Sequence, residues 1–107
     1  MLPNDRAASV IASQLIRAAG SVPANIAEGY GRFSQAAYRS HLSVARGSLF
    51  EAESWIDLLA RRGYISPDTE TQLIEECAEI GKMLTVRMKS LGDAPKSYAR
   101  KAGPANG

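Results

Sequence analysis

The chain has 107 residues, enough for one domain with one sizeable core, and 45% of them are apolar. Its net charge of +2 is too small to argue by itself for a nucleic-acid partner. Cys77 and His41 are the single cysteine and histidine, which excludes an intrachain disulfide and a Cys/His zinc site built within one chain.

The N-terminal Met1-Leu2-Pro3-Asn4-Asp5-Arg6 does not read as a signal peptide. The first element is a helix that opens at Asn4 as N-cap and runs to Tyr30. Ala7, Ile11, Leu15, Ala18, Val22 and Ile26 recur at steps of three or four and give it one apolar face. Gln14 and Arg17 break its most apolar run, Val10 to Ala19, so it cannot span a bilayer. A cytoplasmic location and no membrane partner are expected. Pro23 lacks an N–H and clashes with the preceding turn, which predicts a kink or a restart there. Gly29 and Gly31 are read as the terminators.

The second helix starts at Ser34, a good N-cap. Tyr38, Leu42, Ala45, Leu49, Ala52, Ile56 and Leu59 are spaced as a strict heptad seam. Arg61-Arg62-Gly63 closes it, with cations at the negative end and Gly63 as a left-handed cap. The third helix opens with Ser66-Pro67-Asp68, and its seam is Leu73, Cys77, Ile80, Leu84, Met88 and Leu91. Gly92 is the predicted stop. No alternating run with hairpin turns suggests a strand. Short linkers predict antiparallel neighbours. The fold class is thus all-α, an up-and-down antiparallel bundle of three long helices over residues 1–92, with a disordered basic tail over 93–107.

Charge is segregated along the chain. Residues 1–50 carry five Arg against Asp5 and Glu28. Residues 51–81 carry eight acids against Arg61 and Arg62, and residues 82–107 carry six Lys or Arg against Asp93. Arg17, Arg32, Arg39 and Arg46 are therefore candidates for a phosphate-binding surface. A competing reading puts Glu28 and Arg46 in a buried ion pair, with Asn25 and Ser48 completing a structural polar network; such a pair fixes register more than it stabilises.

No catalytic constellation emerges. His41 lies beside the seam residue Leu42 and reads as a surface or interface residue, with no orienting acid or paired nucleophile marked. Cys77 reads as core filler. Gly29-Tyr30-Gly31 lacks a preceding strand and a third glycine, so it is no dinucleotide site. The scattered acids lack the Glu-x-x-His spacing of bundle di-iron sites. No enzyme, cofactor or metal is expected.

Arg17-Ala18-Ala19-Gly20-Ser21-Val22-Pro23-Ala24-Asn25-Ile26-Ala27-Glu28-Gly29-Tyr30-Gly31-Arg32 resembles the signature of four-helix bundle proteins related to the 23S rRNA intervening-sequence protein. Leu42-Ser43-Val44-Ala45-Arg46-Gly47-Ser48-Leu49-Phe50-Glu51 is a second match, and Gly81-Lys82-Met83-Leu84 is similar to the closing helix. The resemblance implies an up-and-down four-helix bundle, a homo-oligomer that is often a pentamer, and no catalysis. A related branch, the accessory variability protein of diversity-generating retroelements, binds nucleic acid and a reverse transcriptase. Asn25, Glu28, Arg46 and Ser48 fall on motif positions, with folding and binding both open as their role.

Family members carry another amphipathic helix ahead of the part that begins here near Leu2. On that resemblance the first family helix is missing, or the start lies downstream of the true one. An uncovered stripe of a few hundred Å2, at about 25 cal/mol per Å2, would forfeit several kcal/mol. Another subunit or a shifted segment is expected to cover it. The functional expectation is a non-enzymatic oligomer that binds RNA or DNA through basic helix faces. The alternative is a protein-interaction scaffold whose helix faces dock a protein partner.

Overall fold

The computed structural model describes the backbone from Asp5 to Ala102 and the side chains of residues 5–92. It is all-helical, with α1 (Arg6–Tyr30), α2 (Gln35–Arg61) and α3 (Pro67–Ala102). Contacts between helices give their directions. Arg17 meets Glu51, Ser21 meets Ser48 and Asn25 meets His41, so α1 and α2 run antiparallel. Leu49 approaches Gly81 and Arg39 reaches Met88, so α2 and α3 do too. α2 is the central element. α1 and α3 each pack on it, and among the described residues their backbones do not approach one another closely.

The helix ends follow local chemistry. The N-cap of α1 is Asp5 rather than the expected Asn4. Its Oδ1 accepts from the Ala7 and Ala8 amides at 2.7 and 3.3 Å, two donors that the first turn cannot satisfy internally. Asp5 Oδ2 also accepts from the Tyr64 hydroxyl at 2.8 Å, tying the start of α1 to the second loop. That bond, followed by the two amides, lowers the Asp5 pKa. Ser34 and Ser66 cap α2 and α3 through the Ala37 and Thr69 amides. Gly63 takes φ +76°. The Tyr64 and Gly63 amides donate to the Leu59 and Ala60 carbonyls, the paired bonds of a Schellman cap.

α1 is one continuous helix through Pro23, so it does not restart there. α3 runs past Gly92, the expected stop; a glycine inside a helix costs only about 1 kcal/mol relative to alanine. Of the tail expected at 93–107, residues 103–107 and every side chain lie outside the described residues.

The seam of α2 forms the middle of the core. Leu42, Ala45, Leu49, Ala52, Ile56 and Leu59 are all buried, and Tyr38 packs against them. α1 adds Ala8, Ile11, Ala18 and Val22, with Ala8 in the place expected for Ala7. α3 adds Cys77, Leu84, Met88 and Leu91. Ile80 is a correction: it is 37% exposed, and Gly81 takes the inward position, where a Cβ would lie 3.5 Å from Leu49 Cδ2. Cys77, Gly81, Leu84, Met88 and Leu91 step four, three, four, three, so the seam passes through Gly81 and leaves Ile80 at the rim.

Gly29 is also reassigned. It is buried inside α1, and a Cβ built on it would lie 2.7 Å from His41 Cβ and 3.0 Å from Tyr38 Cδ1. Close approach of α1 to α2 demands this glycine, and Gly31 follows as the C-cap.

Candidate functional site

The four candidate arginines do not form one patch. Arg17 sits on the α1 side of α2, where its Nη2 donates to Glu51 Oε2 at 2.6 Å and to Gln14 Oε1 at 2.8 Å. Trp55 Nε1 donates to the same Glu51 oxygen at 3.2 Å. Arg32 pairs with Glu28 at 2.8 Å across one helical turn, with both side chains exposed. Exposed pairs of this kind contribute about 0–1 kcal/mol.

Arg39 and Arg46 lie on the opposite flank of α2, toward α3. Arg39 Nε donates to the Met88 carbonyl at 3.3 Å, and its guanidinium fills the space beside Gly92. Arg46 stacks over Phe50, with Cζ 5.6 Å from the ring centroid. Phe50 is 52% exposed, and together with Lys82 and Thr85 it lines a shallow cavity of about 440 Å3. Arg46 thus stacks on an exposed aromatic ring that lines one cavity with Lys82 and with the acid Glu53. The spacing of Arg46 and Phe50, four apart on a helix, was a legible sign of this pairing.

The antiparallel packing turns segregation along the chain into segregation along the molecule. The first half of α2 and the second half of α3 lie at one end, bringing together Arg32, Arg39, Arg46, Lys82, Arg87 and Lys89. The acids Glu51, Glu53, Asp57, Asp68, Glu70, Glu75, Glu76 and Glu79 occupy the other half.

The expected Glu28–Arg46 pair does not form. Glu28 is taken by Arg32 at the end of α1, while Arg46 points to the α3 flank. No charged residue is buried among the described residues. The polar chain that does cross the α1–α2 interface contains Asn25 and Ser48, with Ser21 and His41 in place of the other two. Ser48 Oγ donates to Ser21 Oγ at 2.8 Å, and Asn25 Nδ2 donates to the Ser21 carbonyl at 2.9 Å. The second bond fixes the amide, so Asn25 Oδ1 faces His41 Nδ1 at 3.2 Å. An amide oxygen only accepts, so this nitrogen carries the proton. Ser21 and Ser48 bond to one another and not to His41, so no base–nucleophile pair is built here.

Among the described residues no cluster of His, Cys, Asp or Glu could hold a metal ion, and no helix is long and apolar enough to cross a membrane. Cys77 is buried, and burial raises its thiol pKa.

The family model described as 23S rRNA-intervening sequence protein matches residues 2–86. This chain belongs to that family. A member of the S23 ribosomal protein family from Bacteroides thetaiotaomicron VPI-5482, a crystal structure of a protein with unknown function, is similar to this intervening-sequence family protein. It superposes with a TM-score of 0.74 at 31% identity, over 75% of this chain and 71% of the other. None of the curated proteins matches. The matched residues include the polar chain and the close crossing, where Ser21, Asn25 and Gly29 from α1 meet His41 and Ser48 from α2.

Proposed function

We propose that this protein is a non-enzymatic oligomer of the cytoplasm that binds nucleic acid through its basic end. The observation that carries the reading is Arg46 stacked on the exposed Phe50, whose ring lines a shallow cavity with Lys82 and Glu53, on the α3 flank of α2. Phosphates are attracted by clustered Lys and Arg, and an exposed ring beside them offers a platform for an unpaired base. Arg46 is pre-positioned by its stack on Phe50, and Arg39 is held by the Met88 carbonyl. Both therefore lose less freedom on meeting a ligand than free side chains would. Arg17 and Arg32 contribute less, because Glu51 and Glu28 already engage them. The family's association with ribosomal RNA supports RNA as the first ligand to test.

The test is binding of mixed-sequence single-stranded RNA and DNA across a salt series, followed by fluorescence anisotropy. Affinity should fall steeply with salt, and Arg46→Ala with Lys82→Ala should reduce the slope by about one per lost phosphate contact. Phe50→Leu should weaken single strands more than duplexes. Absent or salt-insensitive binding by the intact protein would overturn the reading. A protein partner retained from nuclease-treated extract would then favour a protein-interaction scaffold.

A further inference from the structure

Glu53 is out of place on a surface that attracts phosphate. It is half-buried and lines the α2–α3 cavity with Phe50 and Lys82, yet among the described residues it forms no ion pair. Arg46, Phe50 and Glu53 follow one another at steps of four and three, so they share one face of α2 and span about 10 Å along it. Arg46 stacks on the ring without lining the cavity, so it sits on the far side of Phe50 from Glu53. Leu49 approaches Gly81, and the antiparallel register then sets Lys82 toward the Arg46 end and Ala78 toward Glu53. Ala78 and Gly81 add little or no side chain to the α3 wall, which leaves about 440 Å3 open beside the half-exposed ring.

The cavity therefore has a direction: cations at one end, an aromatic ring in the middle and a carboxylate at the other. Its volume falls within the ~300–1,000 Å3 of small-ligand sites. A ligand matched to it carries an anion, a flat ring and hydrogen-bond donors, in that order. A nucleotide supplies the first two, and its base decides the third. A carboxylate only accepts hydrogen bonds. Guanine offers two adjacent donors on its pairing edge, N1–H and the 2-amino group, which meet the two carboxylate oxygens side by side. Adenine and cytosine offer one donor beside a ring nitrogen that accepts, and uracil offers one between two carbonyls. Each of these sets a lone pair against the carboxylate. Bases splayed out of a single strand are read on this edge while stacked on an aromatic side chain.

We infer that this cavity binds one guanine nucleotide, with the base stacked on Phe50, its pairing edge on Glu53 and its phosphate at Lys82 and Arg46. The inference rests on the nucleic-acid reading above for its source, an unpaired guanine in a strand; a free guanine nucleotide presents the same chemistry. Glu53 acts by selection rather than by affinity. It repels the phosphates of every strand, and guanine is the base whose hydrogen bonds offset that repulsion.

The test uses the full chain and short single-stranded RNAs of uridine that carry one central guanine, inosine, adenine or cytosine. Fluorescence anisotropy at fixed salt reads the strands, and NMR shifts of the cavity residues read GMP alone. The guanine strand should bind roughly tenfold tighter than the adenine or cytosine strand, and inosine, which lacks the 2-amino group, should fall between. Glu53→Gln should remove the preference while tightening the adenine strand, since it deletes a charge that opposes phosphate. Ala78→Leu, at an exposed position, should fill the slot and lose the preference as well. Strands that bind with salt dependence but without regard to the base would overturn the inference and leave the proposed function standing. So would a guanine preference that survives Glu53→Gln, or a substitution that tightens all strands alike, as a merely solvated acid would. GMP binding that is lost in Glu53→Gln, with no strand bound, would uphold the site and overturn the nucleic-acid reading. Absence of both would overturn both.

Discussion

Two glycines in α1 allow the same substitution to be tried in opposite surroundings. At Gly20 a Cβ meets nothing within 4 Å, whereas at Gly29 it would lie 2.7 Å from His41 Cβ. Gly20→Ala should stabilise by up to about 1 kcal/mol, the usual helix preference for alanine. Gly29→Ala gains less of that preference, because it sits one residue from the end of the helix. It also forces two backbone-anchored carbons to part by about 1 Å to reach normal contact. Neither carbon can rotate away, so α1 and α2 must separate where Tyr30 and Tyr38 meet edge to face at 6.0 Å. Overpacking of this kind costs about 1–3 kcal/mol. The two variants should therefore differ by about 2–3 kcal/mol, or roughly 8–20 °C in Tm for a domain of this size. Thermal and urea unfolding followed by circular dichroism at one fixed protein concentration reads the difference directly. Equal Tm values for Gly20→Ala and Gly29→Ala would refute the close-approach argument.

Three further outcomes are expected. Leu49→Ala, which empties the centre of the core opposite Gly81, should cost about 2–5 kcal/mol in the same unfolding assay, while Phe50→Leu on the surface should cost far less. Asp5→Ala should lower Tm by loss of the cap; because the folded-state pKa of Asp5 is lowered, its contribution is present above the ordinary carboxylate value and is lost as pH falls below about 4. An acid titration of Tm in wild type and variant should converge there. Cys77, buried with a raised pKa, should react with a thiol reagent only as fast as the protein opens, and at once in denaturant.

The helices were legible because their signals are local. The heptad spacing of α2 names its buried residues one by one, and Ser34, Gly63 and Ser66 mark ends by chemistry that acts within a few residues. What the sequence left open depends on what lies across from each side chain. Ile80 enters the expected seam of α3 by its hydrophobicity, yet the heptad step from Cys77 to Leu84 passes through Gly81, which faces Leu49 of the neighbouring helix. Glu28 and Arg46 are both polar residues beside apolar stripes, and spacing alone does not tell which flank of α2 faces α1. The flank turned out to carry His41 and Ser48, so these joined Asn25, and Arg46 was left facing α3 with Phe50 as its partner. Ser21 escaped notice because one serine in an interrupted helix carries no signal until its neighbours are known.

The order of the helices in space repeats their order in the chain: α1 packs on α2, α2 packs on α3, and among the described residues the backbones of α1 and α3 do not come together. Every packed pair is a hairpin between sequence neighbours, so little loop entropy opposes its formation and folding should fall in the microsecond-to-millisecond range of low contact order. The same arrangement makes α3 separable. It can leave α2 without disturbing the polar chain and the close glycine crossing that hold α1 in place. The α1–α2 hairpin should therefore keep its amide protons longer in hydrogen exchange than α3, and whatever binds the outer side of α3 gains control over the part of the molecule that opens first.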